Sequence, residues 1–301
     1  MRVVLAALTV LAVGCGGAES SVTTTTLSPP TTTGGSPTTG GSRVEFVDDE
    51  RPARLVIPPT WQPRGAPMPV VVLLHGYGAS GEIQDVYLGV SVTGADLGYL
   101  ALTPDGTPDT RGNRFWNASN LDGFVDDTGY IVGLIDQVVA DFNGDPDRVY
   151  LVGHSNGGFM ANKVACEFSD RIAGIAAIAG GIFGTSSTCR GPVQVIVIQG
   201  TEDETVPYEG GAFLGAPVLG AEETVARWLE AGGCAAGSTQ EGPFNFDLLV
   251  PGDETTVTAW NDCAAGASVE LWRMEGSGHV PGFLPDFRSS VMERLLGFEG
   301  R

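Results

Sequence analysis

The hydrophobic positions of this chain fall into short apolar runs that alternate with segments of helical periodicity. Runs of about four to eight apolar residues between turn residues predict buried strands, here at residues 54–57, 69–74, 99–103, 149–152, 172–179, 193–199 and 269–274. Apolar residues at helical spacing predict a helix capped by Asp126 and Asp127, and further helices at residues 159–168, 222–231 and 287–296. This alternation predicts an α/β fold, with a mostly parallel central sheet and helices on both faces.

A serine lies between the strand at 149–152 and the helix at 159–168, in the pattern G-x-S-x-G around Ser155. A strand that turns into a helix so quickly must hold the serine in a strained backbone conformation, which the flanking Gly153 and Gly157 tolerate. The turn raises the hydroxyl above the sheet and places the Asn156 N–H at a helix start, where it can stabilise an oxyanion. A chance match of so short a motif is the alternative, and the flanking strand and helix argue against it.

A serine hydroxyl needs a base that removes its proton, and the chain has three histidines. His75 belongs to a glycine-rich loop after the strand at 69–74. His154 directly precedes the serine, so its side chain is expected to point away from the hydroxyl. His279, on a glycine-flanked loop after the last predicted strand, is left as the base by elimination. An exposed loop histidine without catalytic function is the alternative.

An acid that orients the base is expected between the serine and the histidine in the chain. Asp203 follows the strand at 193–199 and gives the order Ser, Asp, His of the α/β-hydrolase fold. Its neighbours Glu202 and Glu204 remain alternatives, as does a solvated acidic turn without function. The backbone N–H of Tyr77, in the loop after the strand at 69–74, is the predicted second oxyanion donor.

Composition limits the other functions. With 301 residues, 42% hydrophobic and 17% charged, the chain has room for one large α/β domain. The net charge of −20 and the single lysine argue against nucleic acids and anionic membrane surfaces as partners. The chain has no C-x-x-C motif and its histidines lie far apart, so we do not expect a structural zinc site. The serine chemistry predicted above needs neither a metal nor an organic cofactor.

The N-terminus has the pattern of an export signal, because one arginine precedes a short apolar segment at residues 3–13. Residues 12–15 resemble a bacterial lipoprotein box, with alanine where leucine is usual. We therefore expect a signal at 1–15, lipidation of Cys15 and anchoring at the extracellular face of the membrane, with ordinary cleavage and secretion as the alternative. Residues 16–42, rich in Thr, Pro, Gly and Ser, predict a disordered tether to a catalytic domain at 43–301.

Four further cysteines form an even set, as expected in an oxidising compartment. Three pairings are possible. Proximity in the sequence favours the pairs Cys166–Cys189 and Cys234–Cys263.

The serine motif, the candidate acid and base, and the segments around them together resemble a known group, the secreted polyhydroxybutyrate depolymerase and feruloyl esterase-like hydrolases of the α/β-hydrolase superfamily. The resemblance covers roughly residues 54–296 and is carried by 73–78, 115–117, 125–127, 147–150, 153–158, 199–203, 206–208 and 276–279. It implies an α/β-hydrolase fold, a nucleophile at Ser155, an acid at Asp203 and a base at His279. It also implies that Cys234 and Cys263 pair.

The chain departs from the family pattern at two places. Gln199 stands where the family usually has histidine, and 280–282 reads Val-Pro-Gly where a tryptophan commonly follows the catalytic histidine. The second departure alters the expected wall of the substrate pocket and leaves the substrate open. We expect Phe115, Trp116 and His75 to contact substrate, although an aromatic pair such as Phe115 and Trp116 is also typical of a core.

The predicted function is an exported, monomeric serine carboxylic ester hydrolase that forms an acyl-enzyme. Polyesters such as polyhydroxybutyrate, feruloylated or acetylated polysaccharides and small aryl esters all fit this chemistry. One alternative transfers the acyl group to a cell-envelope acceptor. Another is a lipoprotein that binds a solute and uses the fold without catalysis.

Overall fold

The computed structural model describes residues 41–119, 125–184, 188–213 and 216–297. The predicted signal, Cys15 and nearly all of the predicted tether lie outside these residues. The strands are β1 (Arg43–Val47), β2 (Ala53–Ile57), β3 (Met68–Leu74), β4 (Leu100–Thr103), β5 (Thr107–Pro108), β6 (Arg114–Phe115), β7 (Gly144–His154), β8 (Gly174–Ile178), β9 (Gln194–Gly200), β10 (Gly210–Phe213), β11 (Ala216–Leu219), β12 (Thr239–Phe244), β13 (Thr255–Trp260) and β14 (Val269–Met274). The helices are α1 (Gly81–Leu88), α2 (Val90–Leu97), α3 (Asp127–Phe142), α4 (Asn156–Glu167), α5 (Ala221–Gly232) and α6 (Pro285–Leu296).

A ten-stranded sheet in the order β1-β2-β4-β3-β7-β8-β9-β14-β13-β12 forms the centre of the fold. The strands from β4 to β14 in this order all run parallel, and antiparallel strands close both edges. The predicted parallel sheet is confirmed, and each predicted strand and helix is present within a few residues of its expected bounds, except that β7 begins earlier. None of the helices in the described ranges combines the length and the hydropathy that a membrane-spanning segment requires.

Both faces of the sheet are buried, which explains the continuous apolar runs of its central strands. In β3, Val70, Val72 and Leu74 face one core, which includes apolar residues of α3, α4 and α5. Val71 and Leu73 face the other, which includes residues of α1, α2 and α6. The helices on both faces therefore match the predicted architecture.

Several elements were not predicted, and α1 shows why. In this helix Ile83 and Val86 are 63% and 77% exposed, whereas Gln84 and Asp85 are buried. The polar and apolar positions are thus reversed relative to an ordinary surface helix, so hydrophobic periodicity does not reveal it. The strand β12 was not predicted for a different reason: its residues are almost all exposed and include Gly242 and Pro243.

The four cysteines of the domain form the disulfides Cys166–Cys189 and Cys234–Cys263, as proximity predicts. The linked residues are 23 and 29 positions apart. In the loop-entropy model, closing loops of this length stabilises the fold by about 3 kcal/mol each.

The aspartates at the start of α3 have different roles. Asp126 is exposed and caps the helix, since its Oδ1 accepts a hydrogen bond of 2.9 Å from the Gly129 N–H. Asp127 is buried: its Oδ1 pairs with the Arg51 guanidinium at 2.7 Å, and its Oδ2 accepts from the Asn117 N–H. The prediction of a cap therefore holds for Asp126, whereas Asp127 joins the helix to two loops.

These roles predict unequal losses of stability. Asp126→Ala removes an exposed cap and should lower the free energy of unfolding by about 1 kcal/mol. Asp127→Ala leaves a partly buried guanidinium without its carboxylate and should cost about 3 kcal/mol or more. Urea denaturation of both variants measures the difference, and equal losses would contradict the assigned roles.

Candidate active site

The turn after β7 holds Ser155 in an uncommon backbone conformation, with φ 55° and ψ −120°. Close backbone contacts on both sides require glycine. A Cβ on Gly153 would lie 2.1 Å from the Gly157 carbonyl oxygen, and one on Gly157 would lie 2.0 Å from that of Leu74. The predicted strained turn is therefore present, and its strain is sustained by packing that larger residues would prevent.

Ser155, His279 and Asp203 form a continuous hydrogen-bonded chain. The Ser155 Oγ lies 2.9 Å from the His279 Nε2, and the His279 Nδ1 lies 2.8 Å from the Asp203 Oδ2. Because the carboxylate accepts, the neutral ring carries its proton on Nδ1 and leaves Nε2 free to accept from the serine. The structure thus brings together the three residues that the sequence predicted as a catalytic set, in the arrangement of a base-activated serine.

Asp203 is the acidic residue of its loop that can serve this set. It is 4% exposed, and its Oδ1 accepts from the Thr205 and Val206 N–H groups at 2.8 Å each. Gln199, which departs from the family pattern, donates from Nε2 to the Asp203 Oδ2 at 2.9 Å. Glu202 and Glu204 are exposed. The geometry therefore favours Asp203 over both alternatives.

The loop after β3 reaches the serine with its backbone. A Cβ built on Gly76 would lie 3.4 Å from the Ser155 Cβ. The Gly76 N–H donates to the Gln84 Oε1 at 3.0 Å and the Gly78 N–H donates to the Arg114 carbonyl at 2.8 Å. Among the described residues, the intervening Tyr77 N–H has no acceptor. It is thus available as an oxyanion donor, as is the N–H of Asn156, the first residue of α4.

His75 and Trp116 do not contact the open part of the site, so the prediction that they bind substrate is wrong. Both are buried, with exposures of 0% and 1%. The His75 Nε2 accepts from the Gly106 N–H at 2.8 Å, which leaves Nδ1 to donate to the Gly76 carbonyl at 2.8 Å. Burial also lowers the pKa of His75. The ring is therefore a neutral brace of the loop that carries Tyr77.

Trp116 joins this loop to the serine turn. Its indole N–H donates to the His75 carbonyl at 3.0 Å, and its backbone N–H and carbonyl pair with the Asn156 side chain at 2.6 and 3.0 Å. These bonds link the loop that carries Tyr77 to Asn156, the residue with the second predicted oxyanion donor. Phe115, which is half-buried, stays a predicted substrate contact.

His154 is a site residue whose role was not predicted. Its ring points to His279 and not to the serine hydroxyl, in line with the orientation expected from the sequence. The His154 Nε2 lies 2.9 Å from the His279 carbonyl oxygen, and the centroids of the two rings are 5.2 Å apart. Burial lowers its pKa from 6.5 to about 4. The sequence signal was its place next to Ser155 at a strand end.

A cavity of about 390 Å³ opens at Ser155 between the Tyr77 loop, α1 and the His279 loop. Its apolar wall comes from Tyr77, Ile83, Tyr87 and Val280, and among the described residues that line it there is no Asp, Glu, Lys or Arg. Across the described ranges, no group of three or more His, Cys, Asp or Glu side chains is arranged to hold a metal ion. The chemistry of the cavity is therefore that of an activated hydroxyl beside an uncharged surface.

Comparison with known proteins gives a consistent family. Residues 54–208 match the family model of the esterase PHB depolymerases. NocK of Nocardia uniformis subsp. tsuyamanensis, which is named as an esterase, is 30% identical over 76% of this chain and 70% of its own length. Feruloyl esterase B of Piromyces equi is 27% identical over 62% of this chain, but the match spans 34% of that protein. The bifunctional acetylxylan esterase/xylanase XynS20E of Neocallimastix patriciarum is 24% identical over 71% of this chain and 29% of its own length.

Solved structures share the fold. An acetyl xylan esterase from Aspergillus awamori superimposes with a TM-score of 0.60 at 14% identity, covering 85% of this chain and 99% of that one. A Bacillus cereus carboxylesterase gives a TM-score of 0.53 at 14% identity, covering 82% and 94%. The chain therefore has the predicted α/β-hydrolase fold.

The acidic loop gives a direct test of the catalytic set. Asp203→Asn should lower kcat on a p-nitrophenyl ester by about 10⁴-fold, because the ring loses the acceptor that fixes its tautomer. The exposed neighbours provide matched controls, and Glu202→Gln and Glu204→Gln should leave kcat nearly unchanged. A large loss in either control with an active Asp203→Asn variant would assign the acid elsewhere.

The lowered pKa of His154 predicts a pH-dependent stability. Between about pH 6.5 and pH 4 the unfolded chain binds a proton on this ring that the folded chain does not, so unfolding becomes easier as the pH falls. His154→Gln removes this titration. From about pH 7 to about pH 4.5, its free energy of unfolding should therefore fall by about 2 to 3 kcal/mol less than that of the wild type. Urea denaturation of both proteins at the two pH values measures the difference. If the wild type and His154→Gln lose the same free energy of unfolding between these pH values, the burial of a neutral ring is contradicted.

Proposed function

Because the chain belongs to the esterase PHB depolymerase family, we propose that it is a serine carboxylic ester hydrolase that works through an acyl-enzyme. The observation that carries this proposal is the hydrogen-bonded chain from Ser155 through His279 to Asp203 at the mouth of an apolar cavity. A solute-binding protein without catalysis would not need a strained serine with a base 2.9 Å from its hydroxyl.

In the first half-reaction the Ser155 Oγ attacks the ester carbonyl carbon while its proton passes to the His279 Nε2. The carbonyl oxygen becomes an oxyanion, which the backbone N–H groups of Tyr77 and Asn156 stabilise. Asp203 stabilises the imidazolium that forms. Collapse of the tetrahedral intermediate breaks the bond to the alkoxy oxygen, which takes the proton from His279 and leaves as the alcohol.

The second half-reaction releases the acid. Water enters the place of the alcohol and gives a proton to the His279 Nε2 as its oxygen attacks the acyl carbon. The same donors hold the new oxyanion. When this intermediate collapses, the Ser155 Oγ leaves, recovers the proton from His279 and frees the carboxylic acid.

The cavity wall favours neutral esters with an apolar or aryl group next to the scissile bond. Ile83 and Val280 are 63% and 58% exposed and line the cavity with the half-exposed Tyr77. The part of the lining that the structure describes contains no lysine or arginine that could bind an anionic group. Polyesters, feruloyl esters and small aryl esters meet this requirement, as do acetyl esters of polysaccharides if the sugar lies outside the cavity.

We further propose that the enzyme is exported and held by a lipid on Cys15 through a tether at residues 16–42. Support comes from the sequence pattern of residues 1–15 and from the two disulfides of the catalytic domain. Disulfides persist in oxidising compartments and are rare in the cytosol.

Hydrolysis of p-nitrophenyl esters of increasing acyl length tests the proposal, with the chain from Arg43 onward and its Ser155→Ala variant. The wild type should release p-nitrophenol, and the variant should lose about 10⁴- to 10⁶-fold in kcat while remaining folded. Undiminished turnover by the variant, or no turnover of any ester by the wild type, would refute the mechanism. Product analysis with a sugar acceptor present distinguishes hydrolysis from acyl transfer.

A further inference from the structure

His279 depends on its loop for its position. The loop at residues 275–282 follows β14 and contains glycines at 276, 278 and 282, and Gly276 has a φ of 74°. A catalytic base must be held within about 0.5 Å of its productive position. Such a glycine-rich segment does not fix the ring by its own backbone, so neighbouring groups must restrain it.

His154 provides one restraint. Since a carbonyl can only accept, the contact between the His154 Nε2 and the His279 oxygen at 2.9 Å identifies Nε2 as the protonated nitrogen. This nitrogen is therefore committed to the loop and does not compete with His279 for the serine proton. His154 is 7% exposed, and its ring packs against the His279 ring.

Tyr87 provides a second restraint from α1. Its hydroxyl donates to the Pro281 carbonyl at 2.7 Å, two residues beyond His279. Its ring also meets the His154 ring edge to face, with 5.5 Å between the centroids. The Tyr87 carbonyl in turn accepts from the Arg288 guanidinium of α6 at 2.9 Å. Two side chains from separate elements thus hold two carbonyls of the same loop.

We propose that His154 and Tyr87 form a clamp that positions His279 for proton transfer, with His154 linking the base directly to the strand end that carries Ser155. The proposal rests on the proposed function, because it assigns positioning residues to that reaction. Since His154 directly precedes the nucleophile, one strand end sets the location of both the serine and the base. Any movement of the turn then carries the His279 carbonyl with it.

The environment of His154 suits this role. The charged or titratable groups that act on it are His279 and Asp203, and Tyr87 packs against its edge. Burial keeps the ring neutral near neutral pH, so no second positive charge stands beside His279 when it takes the serine proton. A lysine or arginine in this place would oppose the imidazolium.

The test uses four variants of the full chain. His154→Phe retains an aromatic ring without a donor, whereas His154→Gln retains an N–H at a similar reach. Tyr87→Phe removes the second restraint. Tyr130→Phe is the matched control. The Tyr130 hydroxyl also donates to a backbone carbonyl, that of Arg51, at a distance of 2.8 Å, and this hydrogen bond lies outside the catalytic set. Steady-state kinetics on p-nitrophenyl acetate and the low-field proton NMR signal of the His279 Nδ1–H are measured for each.

A positioning role predicts a loss in kcat with little change in KM. His154→Phe should lower kcat by about 10- to 100-fold, since a displacement of about 1 Å can have this effect. His154→Gln should recover most of the loss, Tyr87→Phe should show a smaller one, and Tyr130→Phe should match the wild type. The low-field signal should broaden or shift in His154→Phe and stay sharp in His154→Gln and in the control.

Several results would overturn the clamp. One is a folded His154→Phe variant with wild-type kcat and an unchanged NMR signal. Another is a His154→Phe variant whose KM rises while its kcat stays unchanged, which would indicate that His154 contacts the substrate instead. If His154→Phe does not fold, a Tyr87→Phe variant with wild-type kcat and an unchanged NMR signal would also refute it, because this variant lacks the hydroxyl that donates to the Pro281 carbonyl. If the wild type hydrolyses no ester, the proposed function fails, whereas the NMR comparison still decides whether the clamp holds His279.

Discussion

The close approach of backbone at the Ser155 turn is the constraint on which the site depends. The backbone at Gly153 lies so near to the backbone at Gly157, and Gly157 so near to Leu74, that a Cβ on either glycine would collide with a carbonyl oxygen. This packing holds Ser155 at a positive φ and directs its hydroxyl out of the sheet. Because β3 and β7 are parallel neighbours, the same contact brings the Tyr77 loop beside the serine. The proposed nucleophile and both proposed oxyanion donors are thus placed by two adjacent strands.

Hydrogen bonds fix the loops that the sheet brings together. The parallel strands β3, β7, β9 and β14 all end at one edge, so the loops that follow them meet there. Each loop is then fixed by buried hydrogen bonds: His75 and Trp116 hold the oxyanion loop, Gln199 and backbone N–H groups hold Asp203, and Asp247 accepts from Ser277 and Gly282 in the His279 loop. The geometry of the proposed catalytic set therefore depends on many residues outside it.

The fold, which the structure confirms, and the three residues of the proposed catalytic set, which the structure brings together, could be predicted from the sequence because their signals are local or nearly so. Continuous apolar runs identify buried parallel strands, and chemistry by elimination identifies His279 among three histidines. Sequence reasoning misjudged Trp116, since an aromatic side chain has the same sequence pattern in a core as in a cleft, and only its bonds to His75 and Asn156 show its role. It missed α1 because Ile83 faces the cavity while Gln84 is buried, a reversal expected at a functional surface.

Labelling with a fluorophosphonate, followed by peptide mapping, tests the central claim most directly, since this reagent traps a serine only when a base activates it. The account predicts one phosphonylated residue, Ser155, in the wild type, with labelling abolished in Ser155→Ala and slowed by several orders of magnitude in His279→Ala. Labelling of another residue, or of Ser155 at an undiminished rate without His279, would contradict the assignment of nucleophile and base.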